Sequence, residues 1–181
     1  MIVTITNEEK NKCFDFSKSI IESNNQFNRF QKNIDYQIIR TYVGKLAEYV
    51  FLHLLHSYGI QYNAGDMFKI FEGQENADTY DFVTPDGKTI DIKTASLPYH
   101  SRIMVPISQF HLKKDFYVGI KLNFLSSKIK PMDIDNCKIY GYIERSIMEK
   151  QPTEFFGEAN CKAYSLIELK SIAKLINKFK I

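Results

Sequence analysis

The stretch Tyr80-Asp81-Phe82-Val83-Thr84-Pro85-Asp86-Gly87-Lys88-Thr89-Ile90-Asp91-Ile92-Lys93-Thr94 decides how this chain of 181 residues is read. From Thr89 to Thr94 polar residues alternate with isoleucines, the pattern of a half-buried strand. Pro85-Asp86-Gly87 supplies turn chemistry just before it. A three-residue hairpin loop there pairs Thr84 with Lys88, so that Val83 faces Thr89, Phe82 faces Ile90 and Asp81 faces Asp91. In that register Asp81, Asp91 and Lys93 share one face of the hairpin. Tyr80, Phe82, Ile90 and Ile92 share the other, which is expected to bury against a helix. A slip of one residue would send Asp81 to the face opposite Asp91.

An acidic residue two before a lysine also occurs at Glu8-Glu9-Lys10, Asp86-Gly87-Lys88 and Glu168-Leu169-Lys170. The strand setting, not the spacing, singles out Asp91. Two carboxylates and a lysine gathered on one face suit a divalent cation beside a phosphate, because magnesium prefers oxygen ligands and keeps several waters. The carbonyl of Ile92 is a third oxygen within reach. A metal held there would acidify a bound water, and the Lys93 ammonium would favour the resulting hydroxide and the charge that develops on phosphorus.

A further carboxylate, Glu48, lies in Thr41-Tyr-Val-Gly-Lys-Leu-Ala-Glu-Tyr-Val-Phe-Leu-His-Leu-Leu-His-Ser-Tyr-Gly59, whose apolar residues recur at helical spacing. Val43, Leu46, Ala47, Val50, Phe51, Leu54, Leu55 and Tyr58 form the stripe. Glu48 sits on its shoulder near Gly44, where it can look toward the sheet. Lys45, Tyr49, His53 and His56 fall on the far side, a solvated face. Gly44 leaves room for whatever Glu48 approaches.

The order Gly44-x-x-x-Glu48 on a helix, then Tyr80-Asp81-Phe82, then Ile90-Asp91-Ile92-Lys93-Thr94, resembles the PD-(D/E)xK nuclease superfamily, especially its restriction-endonuclease-like members. Two later apolar strands, residues 115–122 and 138–144, extend the resemblance over roughly residues 40 to 145. Tyr80 stands where such enzymes often carry proline. The resemblance implies Asp81 and Asp91 as magnesium ligands, with manganese as a substitute, Lys93 as the lysine that steadies the attacking water, and Glu48 as an accessory carboxylate. It implies a DNA endonuclease acting as a homodimer or with a second subunit. A Holliday-junction or repair nuclease of the same superfamily and a catalytically inactive DNA-binding or scaffold module are the alternative readings.

Length and composition fit one domain with a good core: 44% of residues are hydrophobic and 14% aromatic. The expected fold is α/β, a restriction-endonuclease-like core over about residues 34–145 with a mixed central sheet flanked by helices. The net charge of +3 has the sign that nucleic acid favours and an ordinary magnitude. No apolar run is long enough to span a bilayer and no signal pattern opens the chain, so a cytoplasmic protein is expected. Cys13, Cys137 and Cys161 form neither a disulfide framework nor a zinc pattern.

The remaining expectations are local. Residues 8–23 read as a helix and 23–33 as a polar link, with the Glu48 helix beginning near Ile34. Met67 to Phe71 reads as a strand and residues 72–78 as a loop, while residues 95–114 carry few regular signals. Ser165-x-x-Glu168 is read as a capping box opening a helix over about 165–179, with Leu166, Leu169, Ile172, Leu175, Ile176 and Phe179 as its stripe. DNA contacts are expected from Lys45, Thr94, Ser96, Tyr99, His100, Arg102, Lys113 and Lys114, the cations on phosphates and the residues near Tyr99 on bases.

Overall fold

The hairpin forms in the register that its turn dictates. In the computed structural model, which describes residues 1–22, 33–65, 67–69, 80–124 and 128–180 without the side chain of Asp135, Phe82 pairs with Ile90 and Val83 with Thr89. Gly87 takes φ 78°, a left-handed conformation that glycine adopts without steric cost. The Thr84 N–H donates to Lys88 O at 2.8 Å and closes the loop. The two strands are β2 (Phe82–Val83) and β3 (Thr89–Ala95).

β3 runs parallel to β5 (Phe116–Phe124), β5 pairs antiparallel with β6 (Ile134–Glu144), and β1 (Ile2–Thr4) borders β6. The sheet, in the order β1-β6-β5-β3-β2, is mixed. Two helices cover one side of it, α1 (Asn7–Glu22) and α2 (Ile34–Ser57). Phe82, Ile90, Ile92, Val118 and Ile120 point into that core, where they meet Leu46, Val50, Phe51, Leu54 and Leu55 of α2. Each helix start has a physical cause. Asn33 accepts from Tyr36 N–H at 3.0 Å ahead of α2, and Thr6 and Glu9 exchange side chain–backbone bonds ahead of α1. Thr6-x-x-Glu9 is thus a capping box, one not singled out from the sequence.

Four local expectations are corrected. First, Ser165 ends a strand and caps no helix by its side chain; residues 166–168 make one 3-10 turn, and α4 (Ile172–Ile176) begins later. The supposed stripe divides between two cores, Leu166 joining one and Ile172, Leu175, Ile176 and Phe179 the other. Second, the segment after Thr94 holds a strand, β4 (Arg102–Pro106), which pairs with β8 (Asn160–Ser165), itself flanked by β7 (Thr153–Phe155). β4 finds its partner about sixty positions along the chain, so no local signal announces this second sheet. Third, residues 67–69 lie in a turn, with Met67 N–H donating to Ala64 O at 3.0 Å; residues 70 and 71 lie outside the described residues, as do the expected loop 72–78 and the link 23–32. Fourth, the far side of α2 is solvated only in part: His56 is exposed, but Lys45, Tyr49 and His53 are half-buried. α1 packs there, placing Glu9 Oε1 2.8 Å from His53 Nε2 and Phe14 edge-on to Tyr42.

The side of the central sheet opposite α2 carries Ala95, Tyr117 and Ile143, which bury against Ile103, Val105 and Leu166 together with Met148 of the short helix α3 (Arg145–Met148). The crossover from β3 to β5 runs over this side by way of β4. Among the described residues no helix is long and apolar enough to cross a membrane.

Gly44 borders open space. A Cβ added there would meet nothing within 4 Å, so packing inside the protein gives no reason for glycine in mid-helix. Gly44→Ala is expected to stabilise the fold by about 1 kcal/mol, a rise of roughly 2–4 °C in a melting curve for a chain of this size. An unchanged or lower melting temperature would show that the glycine serves the folded chain itself.

Candidate functional site

Asp91 stands at the centre of the candidate site. It is buried on the β4 side of β3, beside Tyr117 of β5. Two residues on, Lys93 points the same way, as alternation along a strand requires, and its Nζ lies 2.6 Å from Asp91 Oδ2. From the other side Lys114, 5% exposed, donates from Nζ to Asp91 Oδ1 at 2.9 Å. Burial by itself would raise the Asp91 carboxyl, but the two ammonium groups outweigh it and hold the acid below its usual range.

Asp81 reaches the site by an irregularity in the hairpin. The regular ladder stops at Phe82. The Asp81 N–H donates to Ile90 O at 3.0 Å, and its Oδ2 accepts from the Ile92 N–H at 2.6 Å. Its carboxylate therefore takes a place on the β3 edge, where a longer β2 would have offered a carbonyl. The expected pairing of Asp81 directly opposite Asp91 is corrected to this arrangement, because Asp81 is a bend residue beyond the strand end.

Glu48 joins from α2. It is half-buried, with Lys45 Nζ 2.5 Å from its Oε2. The Asp81 carboxyl is pushed up to about 8, chiefly by burial, then by the negative charges of Glu48 and Asp91. Asp81 thus stands within electrostatic reach of both other carboxylates, Glu48 on the helix and Asp91 on β3. Among the described residues, however, no three acidic, histidine or cysteine side chains stand close enough together to hold a metal ion. The donor chemistry suits a hard cation, and the crowded Asp81 acid is one whose proton a cation would displace. Asp81, Asp91 and the carbonyl of Ile92 are the groups that would hold it.

No protein-family model, curated protein or solved structure matches this chain.

Two residues near the site are legible from the sequence only in part or not at all. Gln109 accepts from Lys93 Nζ at 2.9 Å; nothing in Ser108-Gln109-Phe110 marks it beforehand. Lys114 was expected on a phosphate, and its burial against Asp91 corrects that role. Lys45 is corrected likewise: it is ion-paired with Glu48 and stands 5.2 Å from the centre of the Phe16 ring.

The other expected DNA contacts separate by exposure. Tyr99 is 70% exposed, and Lys113 also faces solvent. Arg102 is exposed but is held by both carboxylate oxygens of Glu154 at 3.0 and 3.1 Å. Thr94 and Ser96 are half-buried. His100 is drawn into its own turn, its Nδ1 accepting from the Leu97 N–H at 3.3 Å; burial, then the nearby Lys121 charge, lowers its affinity for a proton.

Proposed function

We propose that this protein is a magnesium-dependent DNA endonuclease of restriction-endonuclease-like type. The observation that supports the reading is the pairing of Asp91 with Lys93 on one strand beside Asp81, whose acid is pushed up to about 8 by burial and by the charges of Glu48 and Asp91. Perturbed carboxylates of this kind concentrate where chemistry is done.

A bound magnesium would supply an acidified water and charge neutralisation at phosphorus. The chain's own residues have separate tasks. Asp81 and Asp91 bind through oxygen. Lys93, whose side chain is 16% exposed, offers its ammonium to the attacking water and to the charge that grows on the phosphate. Glu48 sets its negative charge against Asp81. Lys113 and Tyr99, both exposed, would contact the DNA, and a homodimer or second subunit would be needed to cut both strands.

A second reading has its own observation. Both Asp91 oxygens face lysines, and the described residues gather no three-acid metal group. A centre locked in this way suits an inactive DNA-binding module.

Plasmid and branched-DNA substrates in magnesium and in EDTA decide between them. Lys93→Ala is the informative variant, because Lys114 still pairs with Asp91 and the fold is kept. Asp91→Ala leaves Lys114 buried without its carboxylate, a loss of about 3–5 kcal/mol, so its melting curve must be read beside its activity. Cleavage that stops in EDTA and falls at least about a hundredfold in Lys93→Ala is expected. Cleavage confined to the branch would make the enzyme a resolvase. Binding with no cleavage in magnesium would leave the inactive module.

A further inference from the structure

The connection from β4 to β5, residues 107–114, takes hold of both members of the Asp91–Lys93 pair. Gln109 Oε1 accepts from Lys93 Nζ, and Lys114 Nζ donates to Asp91 Oδ1, each at 2.9 Å. Between these two residues the connection is itself pinned. Arg145, at the start of α3, donates from Nη2 to Phe110 O at 2.5 Å and from Nη1 to Leu112 O at 2.7 Å. Thr89 Oγ1, at the head of β3, donates to Lys113 O at 2.8 Å. A segment that merely crossed from one strand to the next would need neither grip.

We propose that residues 107–114 form a strap that positions the Asp91–Lys93 pair, with Gln109 and Lys114 as positioning residues and Arg145 as the anchor of the strap. A lysine ammonium rides on a long flexible stem, so left to itself it samples many places. Gln109 confines that of Lys93 from one side while Asp91 confines it from the other. Lys114 fixes the carboxylate, and so fixes the point from which Lys93 is measured. The consequence for cleavage rests on the nuclease reading; the placement of Lys93 does not.

Two readouts on the full chain test the strap. The first is the rate at which Lys93 is dimethylated by formaldehyde and cyanoborohydride, read by peptide mass spectrometry against exposed Lys113. Gln109→Met removes the acceptor at similar volume and is expected to raise Lys93 modification several-fold with Lys113 unchanged. Gln109→Glu, which keeps an acceptor, is expected to match the unsubstituted protein. Arg145→Met should act as Gln109→Met does, from a distance; if it unfolds the chain, the Gln109 pair decides alone. The second readout is cleavage: Gln109→Met is expected to lower kcat about 10- to 100-fold, the cost of a misplacement near 1 Å, with KM within about twofold and with recovery in Gln109→Glu. Equal Lys93 modification in Gln109→Met and the unsubstituted protein would overturn the strap. Raised Lys93 modification in a protein that cuts no DNA would keep the strap and remove the nuclease.

Discussion

Asp81→Asn is expected to raise the melting temperature above about pH 8 and, on the nuclease reading, to abolish cleavage. The Asp81 acid is raised from 3.8 to about 8 by burial and by Glu48 and Asp91. Its stabilising contribution is therefore complete below the unfolded value of 3.8 and is lost as pH climbs toward 8, where the carboxylate ionises against its surroundings. At about 1.4 kcal/mol for each tenfold change in proton affinity, the ionised form costs on the order of 6 kcal/mol. Asparagine keeps an oxygen for the Ile92 N–H, 2.6 Å away, and carries no charge. The expected gain is on the order of 10–20 °C, shrinking to nothing near the unfolded value. Magnesium should narrow the gap by stabilising the unsubstituted protein alone. Asp91 has the opposite sign: its acid is lowered, so its contribution is present at neutral pH and is lost on acidification. Melting curves of the two proteins across pH test the claim, and a variant less stable than its parent at about pH 8.5 would refute it.

Gly141→Ala is expected to destabilise the protein by about 3–5 kcal/mol, through two costs that add. Gly141 of β6 has φ 153°, outside the range that a side chain takes readily, and strain of this kind costs about 1–3 kcal/mol. A Cβ there would also press against the Lys170 carbonyl oxygen. That oxygen cannot yield cheaply, because Lys170 and Tyr142 exchange backbone hydrogen bonds of 2.9 and 3.0 Å. Overpacking adds about 1–3 kcal/mol more. Gly119, its cross-strand partner, opens the same gap for Leu169. Urea unfolding measures the loss; a change under about 1 kcal/mol, well below the strain alone, would mean that the C-terminal segment can move away without penalty.

The two glycines also explain where the sequence misled. Leu166 to Phe179 has helical spacing, yet residues 169 and 170 are drawn flat against the gap over Gly119 and Gly141, and the helix waits until Ile172. Local periodicity could not register a gap made by strands much earlier in the chain. The hairpin was legible because its turn, its alternation and its apolar face all depend on neighbours in the chain. Glu48 was legible for the same reason, as a position on one helix. Lys114 was not: a lysine before a strand reads as solvated, and only the crossover brings it 23 residues back onto Asp91. The second sheet was hidden for a related reason, since Ile103 and Val105 of β4 pair with Tyr164 and Lys162 of β8, far along the chain.

The buried ion pair of Asp91 with Lys114 ties the chemistry to the fold at one atom's remove. On the nuclease reading, a lineage that ceased to need the activity would be free to discard Lys93, because Lys114 would still pair with Asp91. It would not be free to discard Asp91 without first neutralising Lys114. Degeneration of this scaffold thus has a preferred order, and a surviving aspartate at this position testifies to folding before it testifies to function.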